Sequence, residues 1–232
     1  MIKRFMGFWS EERALSVFLL LLVVDMFVIG PAVRIGPALN FLSDILFSLL
    51  LLAGVLTVVR RRTLQWTTGL FVLLAIAIRW AGMVFGAPGL LLWDAILSLL
   101  AILAFLLIIV WWVYREGPVT GHRVRGAVAA YLLLAVCFSL AYNLTEYVHP
   151  GSFTLPPGAA VGIQTRSASF LYFSVVTLTT VGFGDIAAVH PVARSLVMVE
   201  ALVGALYPAI LLARIVTLEM ETRRSRGGKE SP

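Results

Sequence analysis

Charged residues and cysteine are both scarce in this chain, and each shortage excludes a class of protein. Only 13% of the 232 residues are Asp, Glu, Lys or Arg, whereas soluble domains carry about 25%. Together with 60% hydrophobic residues and a mean hydropathy of +0.98, this shortage excludes a water-facing globule and predicts several membrane spans. The single cysteine, Cys137, excludes an intrachain disulfide, and we interpret it as a buried small hydrophobic residue.

The excess of basic residues does not indicate a nucleic-acid partner. The formal net charge is +6, but basic residues in membrane proteins mostly lie in cytoplasmic loops, where they set orientation. The sequence shows no metal-ligand cluster, nucleophile–base pair or phosphate-binding loop, so we expect neither an enzyme nor a cofactor. We expect a lipid bilayer around the chain, and no nucleic acid.

Six segments are apolar and long enough to cross a hydrocarbon core, which needs about 20 helical residues. We predict these spans at 14–32, 40–59, 64–86, 89–114, 126–147 and 191–218. Of the 18 Lys and Arg residues, 14 fall on one side of this arrangement. The positive-inside rule therefore places both termini in the cytoplasm.

A shorter apolar run, residues 168–179, lies between the last two spans. A helix of this length reaches only about 18 Å, so it must enter the membrane and return. The sequence TVGFGD follows at residues 180–185, and its two glycines permit left-handed backbone angles. Irregular backbone survives at membrane depth only where protein or water satisfies its polar groups. We predict that carbonyls of this loop share one side, so that several copies around an axis could replace the water shell of a cation.

The sequence TVGFGD resembles the selectivity-filter signature of potassium channels, usually written TVGYGD. The likeness extends back through residues 174–179, which are similar to the family's pore helix, and forward to Gly204, at the usual position of the inner-helix hinge. It covers roughly residues 126–220. The resemblance implies a homotetramer in a bacterial-type plasma membrane, with the filter on its axis. It also implies potassium ions bound at Thr180, Val181, Gly182 and Phe183, with Gly184 completing the carbonyl run.

This resemblance divides the chain into four parts. Residues 1–115 form a four-helix membrane domain, 116–125 a cytoplasmic linker, 126–220 the pore domain, and 221–232 a short basic cytoplasmic tail. Within the pore domain we expect an outer helix, a turret, a pore helix at 168–179, the filter at 180–185 and an inner helix at 191–218. The expected fold is an all-α membrane protein with six transmembrane helices, a re-entrant pore helix and a filter loop, assembled as a homotetramer.

The fourth span lacks the residues that a voltage sensor needs. Such a sensor carries several basic residues, because each charge moved through 100 mV supplies about 2.3 kcal/mol. Residues 89–114 contain Asp94 and no Lys or Arg. We therefore do not expect classical voltage gating.

The supports of the filter depart from the family's usual pattern. Phe183 replaces the commoner tyrosine and so lacks its hydroxyl. Val176 stands where some members carry a glutamate that pairs with the residue aligned with Asp185, so we expect Asp185 to contact water, cations or another subunit. Tyr172 and Phe173 replace a pair of tryptophans. We assign filter support to Thr179, Tyr172, Phe173, Val176 and Asp185.

Ionisable residues inside the first four spans are candidates for either packing or control. We expect Arg79 to pair with one of Asp25, Asp44 and Asp94 and to hold the bundle together. A proton- or ligand-sensitive switch at Arg79 and Asp94 is the alternative.

The sixth span carries further candidates. Gly204 and Pro208 are possible gating hinges. Glu200 could face either the pore helix or the cavity. In the cavity a carboxylate would concentrate cations, and the alternative is a protonated, hydrogen-bonded structural role. We expect Arg214 to point to lipid headgroups or a neighbouring helix, because in the pore it would repel potassium.

The function that this sequence predicts is passive, selective potassium conduction. One alternative is a weakly selective cation channel of the same architecture, against which the intact TVGFG run argues. A second is a potassium transporter subunit, but those resemble channels with four degenerate pore loops in one chain. A third is a non-conducting membrane sensor that has kept a channel-like fold.

Overall fold

The computed structural model describes residues 15–32, 36–58, 62–85, 88–115, 121–157 and 163–227. Within these ranges the chain is almost entirely helical, and six of its helices are long and apolar enough to cross a membrane. One further helix, α6, is too short to span the membrane and lies in the chain between the last two spans. This confirms the predicted all-α, six-span membrane fold with a short additional helix. The helices are α1 (Leu15–Ala32), α2 (Pro37–Val58), α3 (Arg62–Phe85), α4 (Pro88–Tyr114), α5 (Gly121–Val148), α6 (Ile163–Leu178) and α7 (Pro191–Gly227).

Three helix ends lie well outside their predicted positions. The helix α5 begins at Gly121 rather than residue 126, α6 begins at Ile163 rather than 168, and α7 continues to Gly227 rather than ending at 218. The added turns are polar or basic in sequence, and a hydropathy criterion detects only the part of a helix that matches lipid. The predicted linker is therefore helical from 121 and the predicted tail is helical through 227. Residues 1–14, 116–120 and 228–232, parts of the predicted N-terminal domain, linker and tail, lie outside the described residues.

The N-terminal helices pack directly on α5, the first helix of the predicted pore domain. One hydrophobic cluster runs from α1, α2 and α4 into α5, and Phe18, Leu22, Phe105 and Leu133 are fully buried in it. The helices α4 and α5, which adjoin in sequence, also pack against each other. The four N-terminal helices and α5 therefore share one hydrophobic core.

Arg79 lies among carboxylates from two neighbouring helices. Its Nη1 is 3.3 Å from Oδ1 of Asp44 on α2, and its Nε is 3.3 Å from Oδ1 of Asp94 on α4. The guanidinium also lies over the ring of Phe47, 4.3 Å from its centroid, which is cation–π geometry. Ser98 donates a hydrogen bond to Asp94. Arg79 therefore joins α2, α3 and α4, with two carboxylate partners where the sequence predicted one.

A small antiparallel sheet joins the segment after α5 to the segment before α7. Its strands are β1 (Phe153–Thr154) and β2 (Ala187–Ala188). Next to the sheet, the N–H of Val189 donates to the carbonyl of Ser152 at 2.9 Å. The carboxylate of Glu146 accepts the N–H of Phe153 at 3.2 Å. These bonds anchor the chain that leaves the TVGFGD loop.

Candidate ion-binding loop

The backbone after α6 alternates in handedness through the TVGFGD loop. Thr180, Gly182 and Gly184 have φ values of +61°, +57° and +79°. Left-handed angles at every second residue reverse the usual alternation of an extended strand, so successive carbonyls can point to one side. Glycine adopts these angles readily, but a β-branched threonine does so at a cost of about 1–3 kcal/mol. Such strain persists where surrounding contacts fix the backbone, as they do here.

The N–H groups at the start of the loop point back toward α6. The N–H of Thr180 donates to the carbonyl of Thr177 at 2.9 Å. The N–H groups of Val181 and Gly182 both donate to the carbonyl of Val176, at 3.0 and 3.4 Å. In the part of the chain that the structure describes, no backbone hydrogen bond ends on the carbonyl oxygens of residues 180–184. The loop thus has one side that is bonded to α6 and one row of free acceptors.

The side chains of the loop are exposed in the single chain. Val181 is 54% exposed and Phe183 is 69% exposed. Both belong to residue types that proteins normally bury. One chain therefore supplies one row of oxygens and leaves apolar side chains without cover.

Tyr172, on α6, lies beside the end of the TVGFGD loop. Its ring is parallel to that of Phe183, with centroids 6.5 Å apart, and its hydroxyl lies close enough to the carboxylate of Asp185 to interact with it electrostatically. The expected contacts of Asp185 with water, cations or another subunit stay predictions. Phe173 is buried in a second hydrophobic cluster with Tyr142, Phe153, Phe170 and Ile186. The remaining predicted supports, Thr179 and Val176, act on the backbone: the Thr179 hydroxyl donates to the carbonyl of Val175 at 2.7 Å.

Removing the hydroxyl of Tyr172 should weaken the loop without altering its carbonyls. For the conducting pore that the resemblance implies, we expect Tyr172→Phe to accelerate the decline of current during sustained opening about twofold to fivefold, because an exposed polar interaction contributes about 0.5–1 kcal/mol. The reversal potential should stay unchanged. Single-channel recording measures both quantities, and Tyr172→Trp, which restores a donor, is the matched control. Decline at the wild-type rate in Tyr172→Phe would show that the hydroxyl of Tyr172 does not stabilise the loop.

Glu200 lies behind α6 and is completely buried, with 0% exposure. Its carboxyl group is hydrogen-bonded to the hydroxyls of Tyr142 on α5 and Ser174 on α6. Burial within one chain can only increase on assembly, so Glu200 does not line an aqueous cavity. The sequence left open whether Glu200 faces the pore helix or the cavity, and it did not predict Tyr142 or Ser174 as hydrogen-bond partners. Single hydroxyls in apolar helices form no pattern, and the only available hint was that a buried carboxyl group needs donors.

The helix α7 also touches the last residue of α6. A Cβ added to Gly204 would lie 2.2 Å from the carbonyl oxygen of Leu178. The hydroxyl of Tyr131 donates to the same oxygen at 3.1 Å. Gly204 therefore permits close packing, and its role as a hinge stays a prediction, as does that of Pro208, which lies inside the continuous α7.

Arg214 contacts a neighbouring helix, one of its two expected positions. Its guanidinium donates to the carbonyl of Tyr114 at the end of α4 and lies 5.2 Å from the centroid of the Tyr114 ring. This contact joins the lower part of α7 to the N-terminal helices and holds the charge against α4.

The C-terminal part of the chain is similar to known proteins. Residues 129–221 match the family model described as "Ion channel". "Two pore potassium channel c" of Oryza sativa subsp. japonica is 33% identical over 98 residues, which cover 42% of this chain and 21% of that protein. "Inward rectifier potassium channel Kirbac3.1" of Paramagnetospirillum magnetotacticum is 34% identical over 89 residues, 37% of this chain and 25% of that protein. "Protein LctB" of Bacillus caldotenax is 32% identical over 87 residues, 37% of this chain and 64% of that protein.

These matches confirm the family resemblance that the TVGFGD loop indicated. They span about a fifth and a quarter of the first two relatives' lengths. No solved structure matches the chain.

Proposed function

We propose that the protein is a potassium-selective channel, because residues 129–221 match the ion-channel family model and potassium channels are among the relatives of this segment. It conducts potassium passively down its electrochemical gradient. The observation that carries this proposal is the alternation of left-handed residues at 180, 182 and 184, with N–H groups bonded to α6 and carbonyls left free. A row of free carbonyls is the ligand set that replaces the water shell of a dehydrated cation.

Each chain contributes one row of oxygens, so the proposed conducting unit is a homotetramer with the loop on its axis. Stacked rings of carbonyls from Thr180 to Gly184 hold the ions, and the Thr180 hydroxyl supplies a further oxygen at the inner end. The helix α6 directs its carbonyl end toward the loop, where its dipole favours positive charge. No other cofactor is required, because the chemistry is exchange of water for protein oxygen.

Exposed apolar side chains on α7 and in the loop support assembly. Beyond Val181 and Phe183, Met198 is 71% exposed, and Leu202 and Leu206 are also exposed. Lipid or a second copy can cover the outer surface of α7, but lipid cannot satisfy the free carbonyls beside it. A ring of copies covers both.

Control of the pore is proposed to act through contacts rather than voltage. No Lys or Arg lies within Pro88–Tyr114, and Arg79 on α3 is already paired. We propose that both termini lie in the cytoplasm, as the positive-inside rule predicts, and that the membrane is of the bacterial type that the resemblance implies. Arg125, near the start of α5, donates to the hydroxyl of Ser16 on α1 at 2.6 Å. This bond, with that of Arg214 to Tyr114, links the N-terminal helices to both pore helices.

The test is the reversal potential of the purified protein in planar bilayers. With potassium on both sides at different concentrations, current should reverse near the potassium equilibrium potential, about 59 mV for a tenfold gradient. Replacing potassium by sodium on one side should shift reversal strongly. Reversal near zero with the two ions opposed would favour the weakly selective channel instead.

A protein that carries no current would support the transporter subunit or the non-conducting sensor. Potassium-tracer uptake into vesicles separates these two, since only the transporter accumulates tracer. Gly182→Asp, which places a carboxylate in the row of carbonyls, is the control and should abolish potassium current.

A further inference from the structure

A chain of four oxygen-bearing groups crosses the interior behind α6. It runs from the carbonyl of Ala135 on α5 to the hydroxyl of Ser174 on α6, 2.8 Å away. It continues to one oxygen of Glu200 on α7, and from the other oxygen of Glu200 back to the hydroxyl of Tyr142 on α5. The two pore helices and the short α6 thus meet at one buried carboxyl group.

Counting hydrogens along this chain determines the state of Glu200. The chain contains three oxygen–oxygen contacts at hydrogen-bond distance, and each needs one hydrogen. The carbonyl of Ala135 has none to give, and the hydroxyls of Ser174 and Tyr142 have one each. An ionised Glu200 would leave one contact without a hydrogen. A protonated Glu200 supplies the third, donating to Ser174 while Ser174 donates to Ala135.

The surroundings of Glu200 favour the same state. Among the described residues, the titratable groups close enough to interact electrostatically with it are Tyr131, Cys137 and Tyr142 of α5, and no basic side chain is among them. A buried carboxylate without a basic partner costs several kcal/mol, and more so at membrane depth. A neutral acid avoids that cost and keeps all three hydrogen bonds.

We propose that Glu200 is a neutral carboxylic acid that donates its proton to Ser174 and thereby positions α6, and with it the ion-binding loop, against α7. This proposal rests on the proposed function in naming the loop's role. In the loop, the N–H groups of Val181 and Gly182 donate to the carbonyl of Val176. Val176 lies on α6, two residues beyond Ser174. The side chain of Val176 has no carboxyl group that could support the loop. The supporting carboxyl group is instead that of Glu200 on α7, which is bonded to Ser174 on α6.

Glutamine provides a selective test because it reproduces a neutral acid and not a carboxylate. Its amide N–H can donate to Ser174 and its carbonyl can accept from Tyr142. We expect Glu200→Gln to keep wild-type selectivity and current decline. Glu200→Leu and Ser174→Ala, which break the link to α6, should accelerate current decline roughly tenfold, the upper effect of one neutral hydrogen bond. A Glu200→Gln protein as defective as Glu200→Leu would overturn the proposal, and so would normal selectivity and decline in both Glu200→Leu and Ser174→Ala.

Infrared spectroscopy tests the protonation independently of current and of the fold of the leucine variant. The wild-type protein at neutral pH should show the carbonyl stretch of a protonated carboxylic acid, and Glu200→Gln should lack that band. Absence of the difference between the two proteins would overturn the assignment. If the wild-type protein carries no potassium current, the proposed function fails while the infrared result still decides the state of Glu200.

Discussion

Gly204→Ala should destabilise the folded protein, although alanine is the better helix former. In a helix interior the substitution normally gains about 1 kcal/mol. Here the added Cβ would lie 2.2 Å from the carbonyl oxygen of Leu178, and that oxygen belongs to backbone at the end of α6. Overpacking against groups that cannot move costs about 1–3 kcal/mol or more. Since a backbone carbonyl cannot change rotamer, we expect a net loss of about 2 kcal/mol.

Thermal unfolding of the purified protein in detergent measures this effect. The matched control is Gly89→Ala in the first turn of α4, where an added Cβ has no atom within 4 Å. The control should unfold at the wild-type temperature or slightly above it. If Gly204→Ala behaves like Gly89→Ala but alters the opening rate, Gly204 acts as a hinge and not as a packing contact.

Arg79→Gln should also destabilise the protein, by about 3 kcal/mol, because it leaves two buried carboxylates without their shared cation. The side chains of Arg79, Asp44 and Asp94 are 15%, 11% and 17% exposed, so water can compensate only in part. The lost ion pairs join α2 and α4 to α3, and we expect a lower unfolding temperature and a lower yield of folded protein in membranes.

A rescue variant separates loss of charge balance from loss of a switch. Combining Arg79→Gln with Asp44→Asn and Asp94→Asn removes the unpaired carboxylates and should recover most of the lost stability. Arg115→Gln at the exposed end of α4 is the single-charge control and should change little. Normal stability with shifted gating in Arg79→Gln would instead support the switch at Arg79 and Asp94.

The features that the sequence predicted are those set by neighbouring residues. The six spans follow from local hydropathy, and the loop follows from two glycines and a threonine spaced two residues apart. Each could be predicted because its physical cause lies within a few residues. The ends of α5 and α7 were missed because helical hydrogen bonds continue into polar sequence, where hydropathy gives no signal.

Contacts between residues far apart in the sequence could not be predicted in the same way. Tyr142 and Glu200 are separated by 58 residues, and Ser174 and Glu200 by 26. In each case the partner is an ordinary side chain that only the packing of helices makes special.

The contacts of α7 with α6 limit how the inner helix can move. Ser174 and Leu178 meet Glu200 and Gly204, so the two helices touch at points one turn apart on each. A rod held at two points can neither spin about its axis nor slide along it without breaking one of them. Pro208 has no N–H to offer the carbonyl of Gly204, which makes that the first weakened helical turn below the fixed points. We therefore expect any bend in α7 to begin at Pro208, where it would have to break the contact of Arg214 with Tyr114, and to leave the contacts of Glu200 and Gly204 with α6 in place.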